Sequence, residues 1–327
     1  MTNSYKSKKV LVTGGLGFIG SNLAIVLVRR GASVEVYDAL IGGMGGNLFN
    51  IDPVKGDLRI TIADLRDEKK ITKAVRGKDV IFNLAGTLSH IDSMENPFMD
   101  LDINCRAQLQ LLEACRKVND SVKIVYAGTR NQYGKTKSLP VDENHPLEPT
   151  DINGVNAIAG EKYHMMYGKV YSIKAVSLRM TNTFGPRHQM RHSKQGVLNW
   201  FIRVLMDRKP VTLYGKGRQI RDVNYVSDVT SALLTVAVSR KTAGEVYNLG
   251  GTAISLLDFV KLTIAILGYG KIKNAAFPRD RKEIEIGDYI ADTRKIEKEL
   301  AWRAETPITE GIKKTIDYYN QFKKYYW

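Results

Sequence analysis

Short apolar runs alternate with amphipathic segments of helical period along the first 180 residues of the chain. Runs of this kind between polar turns are typical of buried strands, and the longer segments are typical of helices. The predicted strands are 10–12, a strand ending at Asp38, 58–65, 80–86, 122–128 and 175–180, and the predicted helices are one starting at Phe18, 68–75, 97–118 and about 154–167. Strand and helix repeated in this order predict right-handed crossovers and a parallel sheet with helices on both faces.

The regular alternation weakens after Asn182, where glycine and proline residues interrupt the chain. A helix is predicted again at residues 226–239 and a strand at 245–249, and these return the chain to the sheet. We therefore predict a Rossmann-type α/β fold, a doubly wound parallel sheet with a smaller C-terminal substrate lobe. The sheet domain is expected to comprise residues 1–180 with 226–252 returning to it, and the lobe residues 181–225 and 253–327.

With 327 residues, the chain is long enough for a large core and a cleft between a major and a minor lobe. Its net charge of +15 raises nucleic-acid binding as a weaker functional hypothesis. The basic residues are scattered, however, and no run of them resembles a basic arm, so a solvated surface is the favoured interpretation. We expect neither a nucleic-acid nor a membrane partner.

The two cysteines, Cys105 and Cys115, lie in one predicted helix, and their spacing turns them to different faces. A disulfide between them is therefore not expected. No group of residues has the spacing of metal ligands, so no metal site is predicted. Glycines interrupt the only apolar stretch near the N-terminus and no run approaches a membrane span, so a cytoplasmic protein is expected.

The segment Thr13 to Gly20, TGGLGFIG, joins the first strand to the first helix. Gly14 allows a tight bend, Gly17 lets the backbone approach a pyrophosphate, and Gly20 lets the helix pack on the strand. The helix N-terminus then offers free N–H groups and the positive end of its dipole to phosphates. Asp38 ends the next strand, where a carboxylate can accept hydrogen bonds from both adenosine ribose hydroxyls. It would repel a 2′-phosphate, so NAD is predicted rather than NADP.

An ordered set of short motifs follows the glycine turn. They are Asp64-Leu65, the segment Asn83 to Gly86, Asn104, Tyr133-Gly134, Arg179 with Asn182, the segment Phe184 to Pro186, and Arg221-Asp222. Together these motifs resemble the extended short-chain dehydrogenases, and specifically the NAD-dependent nucleotide-sugar epimerases and dehydratases, over nearly the whole chain. Residues 96–115 and 195–201 are similar to the UDP-glucose 4-epimerase and tyvelose-epimerase branches of that family.

The resemblance implies a role for each matching position. The residues expected to bind the cofactor are Gly14, Gly17, Phe18, Ile19, Gly20, Asp38, Asp64, Leu65, Leu84, Ala85, Gly86 and Asn104. The residues expected to bind the substrate are Thr87, Arg130, Asn182, Tyr214, Arg221 and Arg281. The expected substrate is a nucleotide-diphosphate sugar, because an arginine fork suits phosphate oxygens. UDP and CDP are the favoured nucleotides. A homodimer is the expected assembly.

Thr129 occupies the family's Ser/Thr position, whose hydroxyl bonds the sugar oxygen that is oxidised. In the 4,6-dehydratases the next two residues are an Asp-Glu pair that eliminates water. Here they are Arg130 and Asn131, and neither side chain is a plausible acid or base at neutral pH. The sequence therefore argues against the dehydratase reaction.

The family's proton-transfer pair, Tyr-x-x-x-Lys, is missing from this chain. Residues 150–164 align with the family without a gap and place Asn153 at the tyrosine and Ala157 at the lysine. In the family the ammonium lies one helical turn from the phenol and lowers its pKa, which makes the phenol a usable base. Asparagine and alanine cannot do this, and loss of a general base typically costs about 10²- to 10⁴-fold in rate.

Two explanations stay open at this point: a deliberately disabled enzyme, or natural divergence toward a binding protein or toward chemistry with another base. Tyr133, His90 and His188 are candidate substitute bases, although a lone histidine is more often a structural residue. The predicted function is an NAD-dependent nucleotide-sugar epimerase with impaired catalysis. The alternatives are a non-catalytic protein that binds NAD or a nucleotide sugar, and a nucleotide-sugar dehydratase or decarboxylase with a different base.

Overall fold

A computed structural model of the chain describes residues 4–278 and 283–327. Its strands are β1 (Lys9–Thr13), β2 (Ser33–Asp38), β3 (Arg59–Ile62), β4 (Val80–Asn83), β5 (Lys123–Thr129), β6 (Lys174–Met180), β7 (Asn182–Phe184), β8 (Val211–Tyr214), β9 (Ile220–Tyr225), β10 (Val246–Asn248), β11 (Thr252–Ser255) and β12 (Ile272–Ala275). Its α-helices are α1 (Phe18–Arg29), α2 (Glu68–Val75), α3 (His90–Glu95), α4 (Pro97–Leu101), α5 (Ala107–Val118), α6 (Ile152–Tyr171), α7 (Val197–Met206), α8 (Val226–Val238), α9 (Leu256–Leu267), α10 (Arg294–Leu300) and α11 (Ile308–Phe322).

Seven of the strands form one parallel sheet in the order β10-β6-β5-β4-β1-β2-β3. The chain builds this sheet outward from β1 to β3 and then returns to β4 on the other side of β1. The topological switch point therefore lies between β1 and β4, and ligands of such sheets bind outside the carboxyl ends of the strands there. This arrangement confirms the predicted Rossmann-type, doubly wound fold.

The central strands are buried because helices cover both faces of the sheet. Val10 and Val12 of β1 join one apolar cluster with α1 and α8, whereas Leu11 of the same strand joins a second cluster with α2 and α5. Alternate residues of a strand point to opposite faces, so a continuous apolar run is what a strand covered on both sides requires. The short apolar runs of the sequence thus have their physical cause in this two-sided burial.

A second, smaller body covers the carboxyl edge of the sheet. It contains the three-stranded sheet β11-β9-β7 and the parallel pair β12-β8. Its core includes residues of α7, α9 and α11, among them Ile202, Phe259 and Ile312. No helix in the described parts of the chain is both long and apolar enough to cross a membrane.

The helical run predicted at 97–118 is present, but it contains a wider, π-helical turn at Asp102–Arg106 between α4 and α5. Apolar periodicity did not predict this turn. Such turns are often found at functional sites, and this one lies directly behind the loop that follows β4. The Thr87 N–H of that loop donates to Asn104 Oδ1 at 3.0 Å.

Candidate active site

A pocket of about 960 Å³ lies along the carboxyl ends of β1, β4 and β5 and extends under the smaller body. Gly17 lines one end of it, and Arg221 and Tyr214 line the other. Thr129, the last residue of β5, lies on the wall between them. We call the part around the glycine turn the cofactor end and the part around Thr129 the reaction end.

The backbone of the glycine turn fits a dinucleotide. Gly14 has a φ of +63°, and a Cβ atom there would lie 2.7 Å from the carbonyl oxygen of Leu84. A Cβ atom on Gly20 would lie 2.2 Å from the carbonyl oxygen of Gly14. A Cβ atom on Gly17 would approach only that same oxygen, at 3.1 Å, and would otherwise occupy the pocket. Within the described part of the chain no side chain caps α1 after Gly17, so its first-turn N–H groups suit a pyrophosphate.

Asp38 stands at the cofactor end with its carboxylate fixed by the backbone. One oxygen accepts the Leu16 N–H at 3.0 Å, and the other accepts the Leu40 N–H at 2.9 Å. Burial raises the pKa of this carboxyl, and the two backbone hydrogen bonds oppose that rise. The carboxylate lines the pocket, where its remaining lone pairs can accept ribose hydroxyls. Asp64 and Leu65 line the same end.

The turn after β4 forms the floor between the two ends. Leu84, Ala85 and Gly86 all line the pocket, as do Phe18 and Ile19 of α1. The hydroxyl of Thr13 accepts the N–H groups of Leu84 and Ala85 at 3.1 and 3.2 Å, and it donates to Asn83 at 2.8 Å. These bonds satisfy the hydroxyl of the buried threonine, and they join the carboxyl end of β1 to the carboxyl end of β4.

Arg130 is the unusual residue of the reaction end. Its Nε donates to Asn182 Oδ1 at 3.1 Å, and its guanidinium lies 5.5 Å from the ring centre of Tyr289. The residue is only 9% exposed, and its buried Nη1 has no hydrogen-bond partner among the residues that the structure describes. Burial, aided by the nearby charge of Arg221, lowers the pKa of Arg130 to about 10. It is therefore still a cation at neutral pH, with a donor left for an anionic ligand.

The other predicted substrate residues that the structure describes also belong to the pocket wall. Asn182, Thr87 and Tyr214 line the pocket. Arg221 lines it as well, but its guanidinium pairs with Glu285 and donates to the carbonyl of Gly287 at 2.5 Å. Arg281 lies outside the described residues.

Asn153 and Ala157, both in α6, do not belong to the described wall of the pocket. The Asn153 side chain is 1% exposed and donates to the Thr87 carbonyl at 2.8 Å and to Asp100 Oδ2 at 3.0 Å. Asp100 also accepts hydrogen bonds from Asn104 at 3.0 Å, Asn156 at 2.8 Å and the Thr87 hydroxyl at 2.6 Å. We call these five residues the Asp100 network.

Hydrogen bonds to Thr87 and Asp100 hold the Asn104 side chain behind the loop that follows β4. This residue does not reach the described pocket wall, and it lies behind Gly86, where a Cβ atom would be 2.9 Å from Asn104 Oδ1. A cofactor role for Asn104 would therefore be exerted through the loop that it supports. Sequence spacing could not reveal this, because a motif residue in a helix has the same position in the sequence whether its side chain contacts the ligand or a neighbouring loop.

His90 is the one substitute base among the three candidates that stays available. Tyr133 donates to Asn248 at 2.6 Å and accepts from Arg179, and burial raises the pKa of its phenol to about 12. Both ring nitrogens of His188 face backbone carbonyls, and burial lowers the pKa of that imidazole. His90 lines the pocket, and its Nδ1 is hydrogen-bonded to Asp151.

Asp151 is a site residue that sequence reasoning missed. Its Oδ1 accepts the Gly154 N–H at 2.8 Å and so caps the N-terminus of α6. A cap is a readable sequence signal, and Asp151, three residues before the predicted helix start at about 154, could have been recognised as one. Its second partner, His90, is 61 residues away in the chain, and no local pattern connects the two.

Comparisons with known proteins show which family the chain belongs to. The family model of GDP-mannose 4,6 dehydratase matches residues 11–315. A Methanocaldococcus jannaschii protein assigned as a UDP-glucose 4-epimerase is 34% identical over 316 residues, covering 94% of this chain and 97% of that protein. The CDP-paratose 2-epimerase of Salmonella typhi is 28% identical over 335 residues, covering 95% and 98%. The structure of an epimerase from Methanothermobacter thermautotrophicus matches with a TM-score of 0.92 at 24% identity, covering 99% and 95%, which supports the fold.

Proposed function

Because the chain belongs to the GDP-mannose 4,6-dehydratase family of NAD-dependent nucleotide-sugar epimerases and dehydratases, we propose that it is a nucleotide-sugar epimerase. The family and its cofactor, NAD, are those predicted from the sequence motifs. The family consists of enzymes, and the finer choice of reaction rests on the geometry of the reaction end. We propose UDP or CDP as the nucleotide and inversion of one hydroxyl-bearing carbon of the sugar as the reaction.

The observation that carries this proposal is the continuity of the pocket from Gly17 to Arg130. A dinucleotide whose pyrophosphate lies at the N-terminus of α1 would extend along the strand ends toward Thr129. A nucleotide-diphosphate sugar would enter from the smaller body, with its phosphates near Arg130, Asn182 and Arg221. The unpartnered Nη1 of Arg130 supports an anion there, because a buried cation is costly unless an anion pairs with it.

Bound NAD would supply the chemistry of accepting a hydride from the sugar carbon and returning it. The protein's own residues orient the sugar. The Thr129 hydroxyl lines the pocket and accepts the Asn131 N–H at 3.3 Å, which leaves its proton free to donate to a sugar oxygen. Such a bond would hold the reacting carbon in place, and positioning of this kind can account for a large part of a rate enhancement.

Epimerisation is favoured over dehydration by the residues that follow Thr129. Elimination of water needs a group that takes a proton from carbon and a group that protonates the leaving hydroxyl. Arg130 is a cation at neutral pH and Asn131 is an amide, so neither can take the first role. This supports an epimerase although the family model is named for a dehydratase.

We retain the assignment of Asn153 and Ala157 to the positions of the family's tyrosine and lysine, and we propose that this pair takes no part in proton transfer. The burial of Asn153 and its bonds to Thr87 and Asp100 support that view. The division into an NAD-binding domain, 1–180 with 226–252, and a nucleotide-sugar lobe, 181–225 with 253–327, and a cytoplasmic homodimer belong to the same proposal. The second candidate function is a non-catalytic protein that binds NAD and a nucleotide sugar, and the absence of a phenol at position 153 favours it.

The test is to incubate the purified protein with NAD and a panel of UDP-, CDP-, GDP- and dTDP-sugars. Binding is read from the shift in melting temperature, and epimers are identified by NMR. We expect binding and slow formation of an epimer from a UDP- or CDP-sugar. In Thr129→Val, which keeps the shape and removes the hydroxyl, turnover should fall about 100-fold with binding retained. Binding without any epimer would favour the non-catalytic binding function over the epimerase function. Failure to take up NAD would refute both proposals.

A further inference from the structure

The proposed epimerase needs a group that accepts the proton of the sugar hydroxyl, and Asn153 cannot provide it. We propose that His90, oriented by Asp151, is this general base. The inference rests on the proposed function, and it assigns a role to two residues that lie outside the family's Tyr-x-x-x-Lys pair. The observation behind it is a histidine and a carboxylate joined at the pocket wall, beside the place where that pair is missing.

The two residues are held by rigid elements. His90 is the first residue of α3, whose N-terminus is capped by Ser89 through a 3.1 Å bond to the Asp92 N–H. Asp151 caps α6 through its bond to Gly154. Its side chain is 2% exposed, whereas that of His90 is 33% exposed and faces the pocket. A buried carboxylate therefore supports a half-buried imidazole at the edge of the cavity.

The contact to Asp151 determines which nitrogen of His90 can act. Nδ1 faces the carboxylate and therefore carries the proton of that hydrogen bond. No described residue hydrogen-bonds Nε2, which is left as the proton acceptor on the pocket side. A base that is oriented by a third group in this way is the general arrangement of an activated catalytic histidine.

The charges around the dyad keep Asp151 ionised. Burial raises the pKa of Asp151, but the hydrogen bond and charge of His90, the Gly154 N–H and the charge of Arg130 together bring it below its usual range. The acidic residues of α3 itself, Asp92 and Glu95, pair with Lys194. Asp151 is thus the carboxylate that can stabilise a protonated His90.

The Asp100 network explains why the dyad lies at the reaction end. Asn153 is two residues after Asp151, and it donates to the carbonyl of Thr87, three residues before His90. One amide therefore ties the start of α6 to the loop that carries the histidine. In this view Asn153 is a positioning residue: it aligns the elements from which the new base and its carboxylate project.

The step balances without any group beyond those already proposed. Nε2 of His90 would take the proton of the sugar hydroxyl as that carbon becomes a ketone, and bound NAD would supply the acceptor for the hydride that the carbon releases. Once the sugar presented its other face and the carbon was reduced again, Nε2–H would give the proton back to the oxygen. Proton and hydride are both restored, so neither the imidazole nor the cofactor changes over a cycle.

The first test compares His90→Gln with His192→Gln in the full-length protein. Both histidines are half-buried, but His192 does not line the pocket. We expect His90→Gln to keep its melting temperature and its binding of NAD, and to lose about 10²- to 10⁴-fold in turnover.

His90→Ala should regain activity with added imidazole, which a structural role would not explain. Asp151→Asn should reduce turnover less than His90→Ala and should not respond to imidazole. A wild-type protein that turns over, with a His90→Gln variant equally active, would overturn the inference and leave the proposed function standing.

The second test needs no turnover. Diethyl pyrocarbonate acylates accessible neutral imidazoles, and mass spectrometry reports each of the chain's five histidines separately. His145, His164 and His188 are buried and should stay unmodified, whereas His90 and His192 should react. NAD with UDP-glucose should protect His90 and not His192. Equal modification of His90 with and without these ligands would show that it does not face them, and a protein that takes up no NAD would remove both proposals together.

Discussion

The cofactor end and the reaction end are parts of one pocket, yet they follow the family pattern to different degrees. At the cofactor end, Gly14, Gly17 and Asp38 stand where a dinucleotide requires them, with the backbone close approach that the pattern implies. At the reaction end, Thr129 lines the pocket, but Asn153 and Ala157 do not. The two ends therefore differ: the backbone geometry that suits a dinucleotide is present at the cofactor end, whereas the two positions that we assign to the proton-transfer pair do not reach the pocket wall at the reaction end.

The reaction end is backed by a buried polar cluster, the Asp100 network. Asp100 is buried and receives four hydrogen bonds from Thr87, Asn104, Asn153 and Asn156. A buried carboxylate is tolerated only when its lone pairs are satisfied in this way. Replacing a tyrosine in a working enzyme would not by itself create such a set of donors. The Asp100 network thus supports natural divergence over a deliberately disabled enzyme.

The largest effect that we expect concerns the cofactor end. In Gly17→Val the new side chain would fill the space in front of α1, where the pyrophosphate would lie, while φ at this position is an ordinary −77°. NAD affinity should fall at least about 100-fold, or ~2.7 kcal/mol, with little loss of stability. Isothermal titration with NAD and a melting curve measure the two quantities.

Gly20→Ala is the matched comparison, since its Cβ would lie 2.2 Å from the Gly14 carbonyl oxygen and must displace backbone. It should lower the melting temperature strongly. If Gly17→Val bound NAD as tightly as the natural chain, the contrast between the two ends would lose its basis.

The second effect concerns His164, which joins α6 to the core of the sheet. Its Nδ1 donates to the Gly160 carbonyl at 2.7 Å, its Nε2 accepts from Asn83 at 3.0 Å, and its ring stacks on Tyr126. Burial lowers the pKa of His164 to about 4. The unfolded chain therefore binds the proton more strongly than the folded chain. The stability contributed by the neutral ring is complete above pH ~6.5 and is lost as the pH falls toward about 4, up to about 3 kcal/mol.

Urea unfolding at several pH values measures this loss. In His164→Asn the acid-induced decrease in the free energy of unfolding should be smaller by up to about 3 kcal/mol. In His192→Asn this decrease should be the same as in the unmodified protein. Identical pH slopes in all three proteins would mean that His164 is not held neutral, and that the interior behind the reaction end is less closed than the structure implies.

The smallest effect is expected from restoring the family's pair. In Asn153→Tyr with Ala157→Lys the phenol has no room in the Asp100 network, and Asp100 and the Thr87 carbonyl each lose a donor. We expect a loss of about 1–3 kcal/mol in stability and no gain in turnover. Val155→Tyr, at a position of α6 that is 50% exposed, is the control and should change stability by less than about 0.5 kcal/mol. A clear gain in epimerase activity of the double variant would show that the missing pair is the only defect.

The sequence by itself determined the sheet, the glycine turn and the acidic residue that ends β2. These features are carried by residues that are neighbours in the chain: apolar runs with the period of a strand, glycines at positions where a Cβ would collide, and a carboxylate at the end of a strand. The prediction of α2 at residues 68–75 was confirmed to the residue for the same reason, since Asp67 caps the helix locally. Local conformation needs only local information.

Tertiary structure alone decided what the polar residues of the reaction end do. The sequence placed Asn153 at a catalytic position, but only the packing of α6 on the loop after β4 turns its amide toward Thr87 and Asp100. The same packing brings His90 to Asp151 across 61 residues of chain. Hydrogen bonds between distant segments depend on how a crossover connection returns a helix to the sheet. Their partners are therefore set by the three-dimensional course of the chain, which a pattern of neighbouring residues does not contain.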